Sequence, residues 1–222
     1  SLIVASTPLV LAALGELIVE KAGVLNLGVE GMMIIGAVAG FIVGVETGSA
    51  YIGMMAAAVA GALLSLLFAF IILIMQANQV ASGLALTIFG LGIAALMGHP
   101  YTGIKSPQIS TISIPILNEI PIVGTMFFEH DLMVYLSLIS ALTIWYFLTR
   151  MRAGLILRSV GEDHDVAHSL GYRVITIRFL AIVFGGAMAG VGGGYLSLVR
   201  VPQWTEGMTA GAGWIALALV VF

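Results

Sequence analysis

Residues 15–31 carry Glu16, Glu20, Lys21, Asn26 and Glu30 between apolar stretches. A charged side chain at membrane depth costs about 2.5–3.5 kcal/mol on insertion scales. Such groups must therefore meet water, protein or a cavity. Within the run GVLNLGVEGMM (23–33), Gly23, Gly28 and Gly31 permit sharp backbone changes. Irregular backbone survives at membrane depth only when it is buried in protein or lines a water-filled cavity. Two readings are open from these residues alone. One is a solvated cytoplasmic loop. The other is a polar break dipping into the membrane, with Asn26 and Glu30 as its polar groups.

A second polar set is Gln76, Asn78, Gln79, Ser82, Gly83 and Thr87, in MQANQVASGLALTIFGLG. It reads either as an interfacial turn followed by a small-residue packing face, or as part of a polar path. A third set lies in RMRAGLILRSVGEDHDVAHSLGYRVITIRFLA (150–181). Gly161 suggests a turn there. Glu162, Asp163 and Asp165 suit the start of a short helix, since acids complement the N-terminal dipole. Gly171 is placed to end it. That short helix is either a solvated connector or a docking element. His164 and His168 are four apart and share a helix face. Two such histidines can hold a metal, but there is no HExxH pattern and no obvious third ligand, so solvated histidines are the simpler reading and no metal is expected.

Other chemistries find little support. The chain has no Cys, which excludes disulfides and thiolate metal sites. No nucleophile–base set and no catalytic carboxylate pair stands out. No GxxxxGK[ST] loop is present, so the chain by itself cannot draw work from ATP. Net charge is −3, which offers nothing to nucleic acid.

The elements that must position these residues are membrane helices. The 222 residues are 60% hydrophobic and only 9% charged, against roughly 25% charged in soluble domains. That is too little charge to coat a water-facing surface. Gly is abundant, at 28 residues, as suits close helix approach in lipid. Apolar runs are expected to form segments at 1–15, 31–45, 51–75, 80–98, 132–148, 179–199 and 212–222. The fold class is thus all-α: a polytopic α-helical integral membrane protein with about six to seven membrane segments and a short cytoplasmic helix. The absence of an initial Met and the ending within WIALALVVF mark the chain as a fragment of one transmembrane domain that continues beyond the C-terminus.

Between 99 and 131 the chain turns polar, with Pro100, Pro107, Pro115, Pro121, Glu119, Glu129, His130 and Asp131. The prolines argue against a continuing helix. Arg150, Arg152, Arg158, Arg173 and Arg178 are five of the eight basic residues. The positive-inside rule places their segment, 149–178, in the cytoplasm. Counting back puts 99–131 outside, 76–79 inside, 46–50 outside and 16–30 at the cytoplasmic side.

Several stretches together, GELIVEKAGVLNLGVEGMMIIGA, ANQVASGLAL, IPILNEIPIVG, LRSVGEDHDVAHSLGY and GGAMAGVGGGYLSL, resemble the permease subunits of bacterial ABC importers. The narrower resemblance is to the nucleoside and simple-sugar branch, related to ribose and branched-chain amino acid permeases. It runs in order along nearly the whole chain. The resemblance implies a single permease domain over 1–222 in the bacterial cytoplasmic membrane, working by alternating access. It implies a second permease subunit, cytoplasmic ATPase subunits that bind ATP and Mg, and an extracytoplasmic solute-binding protein. This chain would then need no cofactor and do no covalent chemistry. The family's VGE loop holds the coupling helix that docks into the ATPase. It maps here onto Val160, Gly161, Glu162, Asp163, His164, Asp165, Val166, Ala167, His168, Ser169, Leu170, Gly171 and Tyr172. Two departures are present. Asp163 and His164 stand where the family often has Asn and Pro, and Thr87 stands where Asn often follows SGLAL. Candidate pathway or gate residues are Asn26, Glu30, Asn78, Gln79, Ser82 and Thr87.

Two rival readings remain. An ion-driven secondary transporter would want an ionisable residue inside the membrane, and the runs at 51–75, 80–98, 132–148 and 179–199 contain none. A membrane-embedded enzyme would want histidines or acids converging at one depth, and the four histidines lie outside those runs or at their edges.

Overall fold

The computed structural model describes residues 2–107, 109, 112–113 and 129–222. Among the described residues six helices are long and apolar enough to cross a membrane: Leu2–Lys21, Val29–Thr47, Ala50–Ile74, Gln79–Tyr101, Leu132–Arg150 and Val174–Arg200. These contain α1 (Leu2–Lys21), α2 (Val29–Thr47), α3 (Ala50–Ala69) and α4 (Gln79–Gly98). They continue with α5 (Leu132–Arg150) and α8 (Val174–Tyr195). A seventh apolar helix, α9 (Ala212–Val221), is short. Two helices, α6 (Arg152–Glu162) and α7 (His164–Ser169), lie between α5 and α8. The chain is an all-α polytopic membrane protein, as its composition implies. A two-residue antiparallel pair, β1 (Ile112–Ser113) with β2 (Glu129–His130), lies between α4 and α5. The run IPILNEIPIVG, with Pro115, Glu119 and Pro121, falls outside the described residues.

Two expectations need correction. The first helix does not stop at 15 but runs to Lys21, which puts Glu16 and Glu20 inside it. Glu16 is tolerated there because each of its carboxyl oxygens accepts a hydrogen bond from Asn26, as described below. Gly161 does not form a turn. It is the penultimate residue of α6, an amphipathic helix that buries Gly154, Leu157 and Val160. Gly161 is small because the backbone of Lys21 and Gly23 lies against it. The turn falls at Asp163, whose Oδ1 accepts from the Asp165 and Val166 amides at 3.0 Å each and so caps α7. Gly171 ends α7 at φ +89°, as expected.

The core is built where small residues let backbones meet. Helix α8 packs against α1, α2 and α3. A Cβ at Gly15 would lie 2.8 Å from the Gly185 carbonyl, and one at Gly61 2.8 Å from Gly190 Cα. In lipid, such close contact replaces the hydrophobic drive that water would supply. Met32, Met33, Phe41, Phe68 and Ile182 fill the remaining space. Large apolar side chains, among them Met55, Ile88, Leu96 and Leu142, point outward, a surface suited to lipid and not to water. Asp131 caps α5 through the Met133 and Val134 amides at 2.9 and 3.2 Å. Its other oxygen accepts from the Tyr195 hydroxyl at 2.7 Å, which ties α5 to α8.

Candidate functional site

The break between α1 and α2 spans residues 22–28. Asn26 is fully buried. Its backbone N–H donates to Glu16 Oε1 at 3.3 Å, and its Nδ2 donates to Glu16 Oε2 at 3.2 Å. Its Oδ1 accepts from the Gly28 amide at 3.1 Å. Glu16 lies five residues before Lys21, a rise of roughly 7.5 Å. Pairing with Asn26 therefore turns the chain back along α1, and α2 begins inside the fold. Of the two readings of this stretch, the structure has the buried break. Buried in this way, the backbone groups of the break need partners in the protein. The Leu25 amide donates to Gln79 Oε1 at 2.9 Å. The Leu27 carbonyl accepts from Thr87 Oγ1 at 3.1 Å and from Trp214 Nε1 at 3.3 Å. Two other helices, α4 and α9, thus hold one loop.

Glu30 stands in the first turn of α2 and is 3% exposed. It accepts from Thr209 Oγ1 at 2.5 Å, the Gly211 amide at 2.9 Å and the Gly213 amide at 2.7 Å. These donors begin α9, so Glu30 caps a helix from another part of the chain. A carboxylate suits that place, since the first amides of a helix lack partners and carry positive potential. Trp204 is buried with Phe41 and Ala94, against Gly98 at the end of α4. Positive φ at Gly207, Ala210 and Gly211 then turns the chain into α9. The level of the cap follows from Gly192, which meets the Pro8 carbonyl, the Ala12 amide and the Met33 side chain. Glu30, a turn before Met33, is thus near the level of Ala12, roughly 13 Å up α1 from Lys21. A helix that starts so far inside is a discontinuous membrane segment of the kind found at transport sites.

Of the six candidate pathway residues, Asn26, Gln79 and Thr87 meet at the break, and Glu30 caps α9 beside it. Asn78 instead caps α4, accepting from the Ala81 amide at 3.0 Å. Ser82 sits half-buried on the α4 surface. The sequence reading missed Glu16, Thr209, Gly211, Gly213 and Trp214 as members of this site. Glu16 carried a signal, a carboxyl within an apolar helical run. The others are a small-residue turn whose partner lies about 180 positions away, which no local pattern reveals.

The cytoplasmic set forms an elbow between α6 and α7. Val160 and Ala167 are buried and anchor it. Glu162, Asp163, His164, Asp165, Val166, His168, Ser169, Leu170, Gly171 and Tyr172 are exposed. His164 and Asp165 lie 3.6 Å apart in solvent. Among the described residues no three His, Asp or Glu side chains are grouped to hold a metal. The elbow touches the break directly. Gly161 packs on Lys21 and Gly23, and Arg178 Nε, at the start of α8, donates to the Ala22 carbonyl at 3.1 Å.

A family profile described as the branched-chain amino acid transport system permease component matches residues 1–222. A putative glucose ABC transporter permease of Haloferax volcanii is 42% identical over 222 residues, covering 98% of this chain and 68% of its own. A guanosine ABC transporter permease of Bacillus subtilis is 35% identical, covering 99% of this chain and 73% of its own. A nucleoside ABC transporter permease of Lactococcus lactis is 31% identical, covering 100% and 74%. No solved structure matches the chain.

Proposed function

The chain belongs to the family of branched-chain amino acid transport permease components, and we propose that its cargo is a nucleoside or a related simple sugar. It is the transmembrane subunit of an ABC importer. The cargo reading rests on the relatives named for guanosine, nucleosides and glucose. In the proposed assembly this chain pairs with a second permease in the bacterial cytoplasmic membrane. Two cytoplasmic ATPase subunits hold ATP and Mg, and a solute-binding protein delivers cargo from outside. The chain itself does no covalent chemistry.

The observation that carries the mechanism is the contact between elbow and break. The α6–α7 elbow exposes Val166 and Leu170 beside Glu162, Asp163 and Asp165. An apolar centre with a charged rim is what a docking surface offers. Its inner side rests on Lys21 and Gly23. Movement of the ATPase would tilt the elbow and press on the break. The break holds Asn26 and Leu27, and through α2 it holds Glu30 and the start of α9. Alternating access would follow from that chain of contacts.

The test is co-purification of the full-length permease with its ATPase, comparing the native protein with Glu162→Arg plus Asp165→Arg. The expected result is loss of the ATPase from a permease that remains folded. Retention of the ATPase at native stoichiometry would overturn the assignment of the docking site.

A further inference from the structure

We propose that the cytoplasmic leaflet side of this protein binds one anionic phospholipid, its acyl chain in an apolar groove and its phosphate among Arg150, Arg152 and Arg173. The groove encloses ≈ 560 Å³ between α5, α6 and α8, with Ile18 of α1 at its floor. Ile144 and Phe147 of α5 and Ile177, Leu180 and Phe184 of α8 line it. Along α8 the lining runs from Ile177 to Phe184, a rise of roughly 10 Å. Leu180 is 61% exposed, so the groove opens sideways, where lipid is the surrounding medium.

The mouth is chemically different. Met151 and Tyr172 line it at the cytoplasmic end. Arg150 and Arg152 flank Met151, Arg173 follows Tyr172, and all three are exposed. Among the described residues none of the three makes an ion pair. Glu162 ends α6, ten residues from Arg152, or roughly 15 Å along that helix, while Asp165 lines a separate pocket with Val174, the neighbour of Arg173. The Arg150 and Arg152 side of the mouth therefore keeps its positive charge. Helix α6 has the amphipathic character of a helix lying in the membrane interface. Basic pockets between membrane helices at the cytoplasmic surface suit lipid phosphates. The carbon-lined slot beneath suits the chain attached to such a phosphate. A protein partner on this face would meet three unpaired arginines and would need acids of its own to match them.

The test uses the purified full-length transporter complex and two probes, phosphatidylglycerol and phosphatidylcholine of identical acyl chains. Native mass spectrometry counts the lipid retained at equal concentrations. Phosphatidylglycerol should be preferred, and each of Arg150→Gln, Arg152→Gln and Arg173→Gln should lower the preference about fivefold. An unchanged preference in the folded triple variant would overturn the proposal. Should the triple variant fail to fold, Leu180→Trp in the otherwise native protein gives a second reading. Bromine-labelled phosphatidylglycerol should quench the added fluorescence more than labelled phosphatidylcholine. Equal quenching by both lipids, or by neither, would also overturn it.

Discussion

Replacing Glu30 with Gln should release the start of α9. Glu30 accepts three hydrogen bonds, from Thr209, Gly211 and Gly213, at 2.5–2.9 Å and almost out of reach of solvent. A neutral amide keeps one acceptor oxygen and turns an NH₂ toward the remaining donors. At least one donor is then left without a partner, and the surviving bonds lose their charge. Bonds to a charged group contribute about 1.5–3 kcal/mol and an orphaned buried donor costs about 1–3. The pieces are not additive, and a net loss of about 2–4 kcal/mol is reasonable. That shifts the ratio of released to held α9 by roughly 30- to 800-fold. The chain has no cysteine, so a single Ala212→Cys reports on the first residue of α9. Its rate of modification by a water-soluble maleimide should rise by a similar factor in the Glu30→Gln background. A rise of less than about threefold would refute the account of Glu30 as the cap, because the released population could not then have moved by 2 kcal/mol.

Two further substitutions probe the same break. Asn26→Leu removes the amide that donates to Glu16 and the oxygen that accepts from Gly28. It should cost about 3 kcal/mol and lower the Tm of the detergent-solubilised protein by roughly 6–12 °C; an unchanged Tm contradicts the pairing. Gly31→Ala would place its Cβ 2.8 Å from the Leu86 carbonyl and 2.9 Å from Thr87 Cα, both on helix backbone. Overpacking of this kind costs about 1–3 kcal/mol. Gly92→Ala is the control, with nothing within 4 Å of its Cβ, and should not lower Tm.

The membrane helices were legible because long apolar runs have one cheap solution in lipid, the hydrogen-bonded helix. Their ends were less so. Glu16 looked like the end of α1 because a carboxylate in lipid is costly, yet Asn26 supplies donors and the helix goes on to Lys21. Helix α6 was hidden by its arginines, although Gly154, Leu157 and Val160 recur at helical spacing along its buried face. Gly161 was read by its freedom of backbone when its lack of a side chain was what mattered. Asn26 and Glu30 were picked out correctly as odd. Their partners were not visible, because Thr209 and Gly213 are unremarkable residues until the fold sets them beside a carboxylate.

The two buried carboxylates bear on what could drive this protein. An ion-coupled carrier needs an acid that can exchange protein contacts for an ion and water. The apolar runs singled out in the sequence lack such a group, but α1 and the first turn of α2 each hold one. Both are engaged in clamping backbone: Glu16 holds the Asn26 amide and Glu30 holds two amides of the α9 entry. Displacing either from these donors would undo a joint between segments. Their positions instead complete a mechanical series. The elbow rests on Lys21 and Gly23, Arg178 grips the Ala22 carbonyl, Asn26 grips α1, and Glu30 grips α9. Each link is a backbone contact or a buried hydrogen bond, and close-packed interiors transmit strain with little compression. A displacement imposed at the elbow would therefore reach α9 without any charge moving through the membrane. That division suits an importer whose energy enters at the cytoplasmic face, with the buried polar groups of the permease serving as joints.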